Sequence, residues 1–246
     1  MDRLIYTALS GMRSSMDRQR VIASNMANAQ TIGFRAEMFD QRPVTVKGDG
    51  LEARAMQEAG VRSADMSGGE ILETGRGLDI AVEGEALIAV QAPDGSEAYT
   101  RRGDLSLSAT GVLVNGEGYP VLGDAGPISL PPNGNPVIAP DGTITVADPA
   151  APDQPPQEVG RIKLAGWQGS PISKGLDGLF RVEGGGVLPR DEEAGVRSGS
   201  LEQSNVNPTE VLVEMIDAQR LFAMRSKLIS TASDVDEGGA QLMRLG

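Results

Sequence analysis

Neither cysteine nor histidine occurs anywhere in the 246 residues. The first absence excludes disulfides, thiolate catalysis and thiolate metal sites. The second removes the commonest general base and a frequent metal ligand. Together they argue against an enzyme. Aromatic residues make up only 3% of the chain, which points to modest cores. Positive charge is scarce as well: 22 Lys and Arg stand against 34 Asp and Glu, a net charge of −12. Without a basic cluster, nucleic acid is excluded as a partner. No apolar run approaches the ~20 residues of a membrane helix, so membrane insertion is not expected. A cleaved signal peptide is not expected either. Met1-Asp2-Arg3 is charged at once, and the apolar residues after it are periodic rather than continuous.

What is present is punctuation and pattern. Thirty-two Gly and 15 Pro predict many tight turns, and 39% hydrophobic content argues against disorder. Residues 3 to about 31 read as a helix, with Ile5, Leu9, Met12, Met16, Ala23 and Met26 on one apolar stripe. Gly11 interrupts the pattern. It is either a tolerated defect or a site where a neighbouring helix comes close. Asn25, Asn28 and Thr31 weaken the helix, and Gly33 can take the left-handed conformation that ends one.

Residues 36–70 lose the period and read as an irregular or weakly β connector. From Ile71 the period becomes that of strands. Leu78 to Val82 alternates, Ala86 to Val90 is a short apolar run, and Val112 to Val114, Pro136 to Ala139 and Thr143 to Val146 continue the pattern. Pro93-Asp94-Gly95, Asn115-Gly116 and Asp141-Gly142 supply turns between them. A strand is predicted over Arg161 to Trp167 and a proline-rich spacer over Pro149 to Pro156.

The last helix opens at Asn207, a good N-cap, with Pro208 at the first helical position and Glu210 where a capping-box acid belongs. Val211, Met215, Ala218, Phe222 and Ile229 form one stripe, interrupted by Arg225. Leu221, Met224 and Leu228 form a second on another face. A helix apolar on two faces needs more than one neighbour. Gly238-Gly239 is expected to end or break it.

Motifs that carry chemistry are few. Gly75-Arg76-Gly77 lacks the third glycine of a dinucleotide loop. Asp234, Asp236 and Gly238 do not complete a calcium loop. No residue is expected to serve catalysis, a cofactor or a metal. Two readings of other classes stay open. Arg102-Gly103-Asp104 could serve a secreted β-domain adhesin, against the alternative of a hairpin turn whose glycine supplies the backbone angles. Two of the many carboxylates could form a glycan-hydrolase pair.

Several motifs in order carry a resemblance. Leu9-Ser10-Gly11-Met12 precedes Ser24-Asn25-Met26-Ala27-Asn28-Ala29-Gln30-Thr31-Ile32-Gly33-Phe34-Arg35. Gly77 to Gly84, Tyr99 to Leu105 and Gly118 to Leu122 follow, and Gly199 to Asn207 and Met215 to Phe222 close the series. Together they resemble the flagellar rod and hook family of bacteria. Met26, Arg35 and Leu105 depart from that pattern, as does Ala86-Leu87-Ile88 where the family usually carries aromatics. The length, the first six residues and Val159 to Leu164 look most like the proximal-rod branch, with the distal-rod or hook-type members as the alternative.

The fold expected is α+β: long N- and C-terminal helices packed as a coiled-coil-like pair, with a central, mainly antiparallel β module. The boundaries are 1–35, 36–70, 71–205 and 206–246. The resemblance implies a structural subunit of the flagellar basal body, with other rod subunits, the base of the rod and the type III export apparatus as partners. It places the chain across the periplasm. Ile5, Leu9, Met12, Met16, Met26, Val211, Met215, Phe222 and Ile229 are the expected packing residues of the helices. Asn25, Asn28, Gly33, Asn205 and Asn207 are expected to shape the helix ends. The second stripe reads as surface for other subunits, on helices that order on assembly.

Overall fold

The computed structural model describes residues 2–45, 55–131, 134–147 and 155–244, the side chains of 2–8, 40–45, 55–62 and 232–244 excepted. The fold is α+β, with a helix towards each end and a central antiparallel β module. The chain divides into two compact units. One comprises Met1–Ala27, Glu37–Ser63 and Asn207–Gly246; the other comprises Asn28–Ala36 and Ala64–Val206. The polypeptide therefore crosses between units four times.

The β module is organised around Ala86–Gln91. This run is apolar until its last residue, which suits a strand covered on both faces. It lies second in a five-stranded antiparallel sheet. The order is Leu164–Gly166, Ala86–Gln91, Glu97–Thr100, Phe180–Val182 and Ile172–Lys174. Alternate side chains leave opposite faces of a strand. Accordingly Ala86, Ile88 and Val90 enter one core with Ile80, Leu105, Leu113 and Ile162. Leu87 and Ala89 enter a second with Tyr99, Ala165, Phe180 and Leu188. A three-stranded antiparallel sheet of Asn135–Ile138, Thr143–Ala147 and Gln157–Arg161 adds Ile138, Ile144 and Val146 to the first core.

The strand expected over Arg161 to Trp167 is divided. Gln157–Arg161 belongs to the three-stranded sheet and Leu164–Gly166 to the five-stranded one. Between them the backbone changes partners, Ile162 N–H donating to Gly142 O and Lys163 N–H to Leu122 O. Most of the proline-rich spacer lies outside the described residues.

In the other unit, helix α1 (Asp2–Ala27) packs with helix α2 (Pro208–Arg244). Strand β1 (Glu37–Thr45) pairs with β2 (Ala55–Ala64), so part of the expected connector is a two-stranded ribbon. Helix α1 stops at Ala27, before the predicted end near residue 31. Thr31 N–H donates to Asn28 O at 3.0 Å, and Thr31 Oγ1 pairs with Asn28 Oδ1 at 3.1 Å. Such local bonds compete with helix continuation. At the other end Asn207 Oδ1 accepts Thr209 N–H at 3.0 Å, an N-cap. Gly238-Gly239 does not stop α2, which continues to Arg244. Glycine is permitted in a helix interior at about 1 kcal/mol relative to alanine.

Candidate functional site

The helices distribute their apolar residues unevenly. Among the described side chains of α1, Ser14, Ser15, Val21, Ile22 and Asn25 are buried. Leu9 is 56% exposed, Met16 57%, and Met26 is exposed as well, while Met12 is half-buried. The side chain of Ile5 lies outside the described residues. On α2, Val211 and Ala218 are buried and Met215, Phe222, Arg225 and Ile229 are half-buried, all on one stripe of three- and four-residue spacing. The second stripe is exposed at Met224 (58%) and Leu228 (68%), and Leu212, Val213 and Ile216 extend the apolar surface.

The arginine that breaks the α2 stripe has a partner. Arg225 Nη1 donates to Gly11 O and to Ser15 Oγ of α1. A Cβ built on Gly11 would lie 3.8 Å from that guanidinium, an ordinary contact. The carbonyl of Gly11 is used, and its missing side chain is not needed for space. Asn25 Oδ1 accepts Glu37 N–H at 2.8 Å and its Nδ2 donates to Glu37 O at 3.0 Å, tying the end of α1 to the start of β1.

The segment after α1 behaves differently: Asn28–Ala36 is part of the β module. Gly33 has φ +66°. It takes this left-handed conformation inside the module, beyond the end of α1. Its N–H donates to Glu202 O at 2.8 Å, and a Cβ there would sit 2.5 Å from the backbone carbon of Arg101. Arg35 is buried. Its Nη1 meets Glu202 Oε1 at 2.6 Å and donates to Ser67 O at 2.5 Å. The second oxygen of Glu202 accepts Arg101 Nε at 2.7 Å. Arg101 also donates to the carbonyls of Val82, Gly84 and Ala86 at 3.0, 3.0 and 2.6 Å.

Two guanidinium groups thus share one buried carboxylate, and backbone carbonyl oxygens accept further hydrogen bonds from both arginines. Burial lowers the pKa of Arg35 from its ordinary value, outweighing the opposing pull of Glu202. Lys174 completes the clasp, donating from Nζ to Arg35 O at 2.8 Å and standing 3.4 Å over the ring of Phe34. Asn205 belongs here too, with Oδ1 accepting Ala36 N–H at 2.7 Å. The partners Glu202, Arg101 and Lys174 are not legible as a group in the sequence. Arg101 and Glu202 are 101 positions apart, and no periodicity links them.

The tripeptide Arg102-Gly103-Asp104 is closed on itself. Arg102 Nε and Nη2 donate to the two oxygens of Asp104 at 2.8 and 3.0 Å, and Nη1 to Glu117 Oε1 at 3.2 Å. The hydrogen bond from Arg102 to Asp104 raises the guanidinium pKa. Gly103 is not left-handed; a Cβ there would lie 1.8 Å from Ile80 O. Close packing, and not turn angles, requires this glycine. An adhesive loop must offer both charges to a partner, and here they satisfy each other.

A cavity of about 570 Å³ is lined by Glu83, Glu85, Asp141, Asp191, Glu192 and Glu193. Glu83 pairs with Arg197 at 3.2 Å and Asp141 with Arg161 at 3.8 Å. A glycosidase acid needs a raised pKa. Hydrogen bonds from Thr143 lower that of Asp141. Among the described residues no acidic group is arranged to hold a metal ion.

Residues 5–35 match the family model for flagella basal body rod protein. Residues 81–146 match the flagellar hook protein FlgE/F/G D1 domain, and 197–242 the flagellar basal body rod FlgEFG protein C-terminal region. The flagellar basal-body rod protein FlgF of Salmonella typhimurium is 41% identical, covering 98% of this chain and 97% of its own. That of Escherichia coli is also 41% identical, over 100% of both chains. The rod protein FlgG of Bacillus subtilis is 31% identical over 96% of this chain and 97% of its own. The chain belongs to the flagellar basal-body rod protein family.

Proposed function

We propose that the chain is a structural subunit of the proximal flagellar rod and performs no reaction. The observation that carries this reading is the exposed apolar surface of both helices, Leu9 and Met16 on α1 with Met224 and Leu228 on α2. Apolar surface of this kind is stabilised by burial, at roughly 25 cal/mol per Å². Packing against other rod subunits supplies that burial. The helices then act as a coiled-coil-like pair whose outer stripes join neighbouring subunits, and torque passes through the interlocked helices. They order fully on assembly, and the chain reaches the periplasm unfolded through the flagellar type III apparatus. The 41% identity to FlgF of Salmonella typhimurium and of Escherichia coli, against 31% to FlgG of Bacillus subtilis, supports the proximal over the distal rod.

The test is composition and loss. Basal bodies isolated from the source bacterium are expected to contain the chain, and a strain lacking it is expected to be non-motile with incomplete rods. Complete, rotating flagella in the deletion strain contradict the proposal.

A further inference from the structure

The four chain crossings raise a mechanical question: a module tethered by separate strands yields at one strand unless those strands are joined. Asn205 joins three of them. It lies two residues before the crossing into Asn207 and α2. Its Oδ1 accepts the N–H of Ala36, the last module residue before the crossing into β1, at 2.7 Å. Its Nδ2 donates at 2.9 Å to the carbonyl of Asp65, one residue inside the module after β2, and at 3.0 Å to Ser67 O. Its own N–H donates to Phe34 O at 3.3 Å, and Asp65 N–H donates to Ala36 O at 2.8 Å. One amide side chain thereby uses an acceptor and two donor hydrogens to bind two other crossing strands. Aspartate lacks the donors and alanine lacks both functions.

We infer that Asn205 is a positioning residue that lashes three of the four crossing strands together where they leave the β module, so that load enters the module through joined strands. This rests on the rod-subunit reading. On a single tether the full force falls on one backbone segment. Joined, the strands divide it, and separating them requires breaking several hydrogen bonds at once.

The experiment has two arms on the full chain. In the first, amide exchange is followed in the free protein and its Asn205→Ala variant. Joined strands predict that the amides of Ala36, Asp65 and residue 205 accelerate together by about tenfold or more, as local opening becomes easier. Amides in Ala86–Gln91 keep their rates. Acceleration of Ala36 alone overturns the proposal, because the bond is then a private one. If the alanine variant unfolds the whole module, Asn205→Ser, which keeps one short hydroxyl, is read at the same amides, with the same outcomes deciding.

In the second arm, swimming speed is measured against medium viscosity in cells carrying Asn205→Ala. Incorporation of the variant into basal bodies with a steeper loss of speed at high viscosity is expected. Normal speed at every viscosity, or failure to incorporate, overturns a role in bearing load. Absence of the unaltered chain from basal bodies would instead remove the rod-subunit reading, leaving the exchange result standing.

Discussion

Arg35 and Glu202 meet at 2.6 Å with side chains only 2% exposed, joining the segment after the first helix to the strand before the second. Glu202 also holds Arg101. Removing one member of a buried charged set leaves its partners unpaired, at about 3–5 kcal/mol. Glu202→Gln should destabilise the β module by roughly that amount in urea unfolding. Arg101→Lys should fail to restore wild-type stability. A lysine ammonium cannot reproduce a guanidinium fork that serves the Glu202 carboxylate and the carbonyls of Val82, Gly84 and Ala86 together.

Two glycines of the N-terminal motifs should respond oppositely to alanine. At Gly33, φ +66° and a Cβ position 2.5 Å from Arg101 backbone make alanine strained and obstructed. Gly33→Ala should cost more than the ~1 kcal/mol of a left-handed residue alone. At Gly11 a Cβ meets Arg225 at an ordinary 3.8 Å. Gly11→Ala should stabilise α1 by about 0.5–1 kcal/mol, read as increased helicity of the free chain by circular dichroism.

Asp177 gives a pH signature. Its carboxylate accepts Arg181 Nη1 and Nη2 at 3.0 and 2.6 Å, and that bond lowers its pKa. A carboxylate lowered in the folded state adds stability above its unfolded pKa, near 3.9, and loses it as pH falls through the folded value. Asp177→Asn should therefore be less stable than the natural chain at neutral pH. The difference should vanish in acid, as thermal unfolding from pH 7 to 2 would report.

How much of this could be read beforehand follows from the range of each interaction. The helices and strands were legible because local periodicity encodes them: the α2 stripe through Val211, Met215, Ala218 and Phe222, or the apolar run at Ala86–Gln91. The N-cap at Asn207 was legible because a cap is a contact between near neighbours. Asn205 read as a helix-end residue because it stands close to that cap, yet its side chain bonds Ala36 and Asp65, 169 and 140 positions away. The Arg35–Glu202–Arg101 cluster had no local trace. Gly238-Gly239 misled in the other direction, since intrinsic propensity is a weak prior inside a long helix.

The outer helical faces should matter for assembly and not for folding of the free chain. Leu9→Ser and Leu228→Ser alter exposed side chains, so each should shift monomer stability by no more than about 0.5 kcal/mol. Both should reduce recovery of the chain in basal bodies. Val187→Ser, at an equally exposed apolar position of the β module, serves as the comparison in which recovery is maintained.

The absence of cysteine allows the most direct test of the central claim, that these helical faces pack against other subunits. Single cysteines are introduced as Leu9→Cys, Met16→Cys, Met224→Cys and Leu228→Cys, with Val187→Cys for comparison, and labelled with a maleimide in the free chain and in isolated basal bodies. All five are expected to label in the free chain, and the four helical positions are expected to become protected in the basal body. Equal labelling of the helical positions in both states would contradict the account.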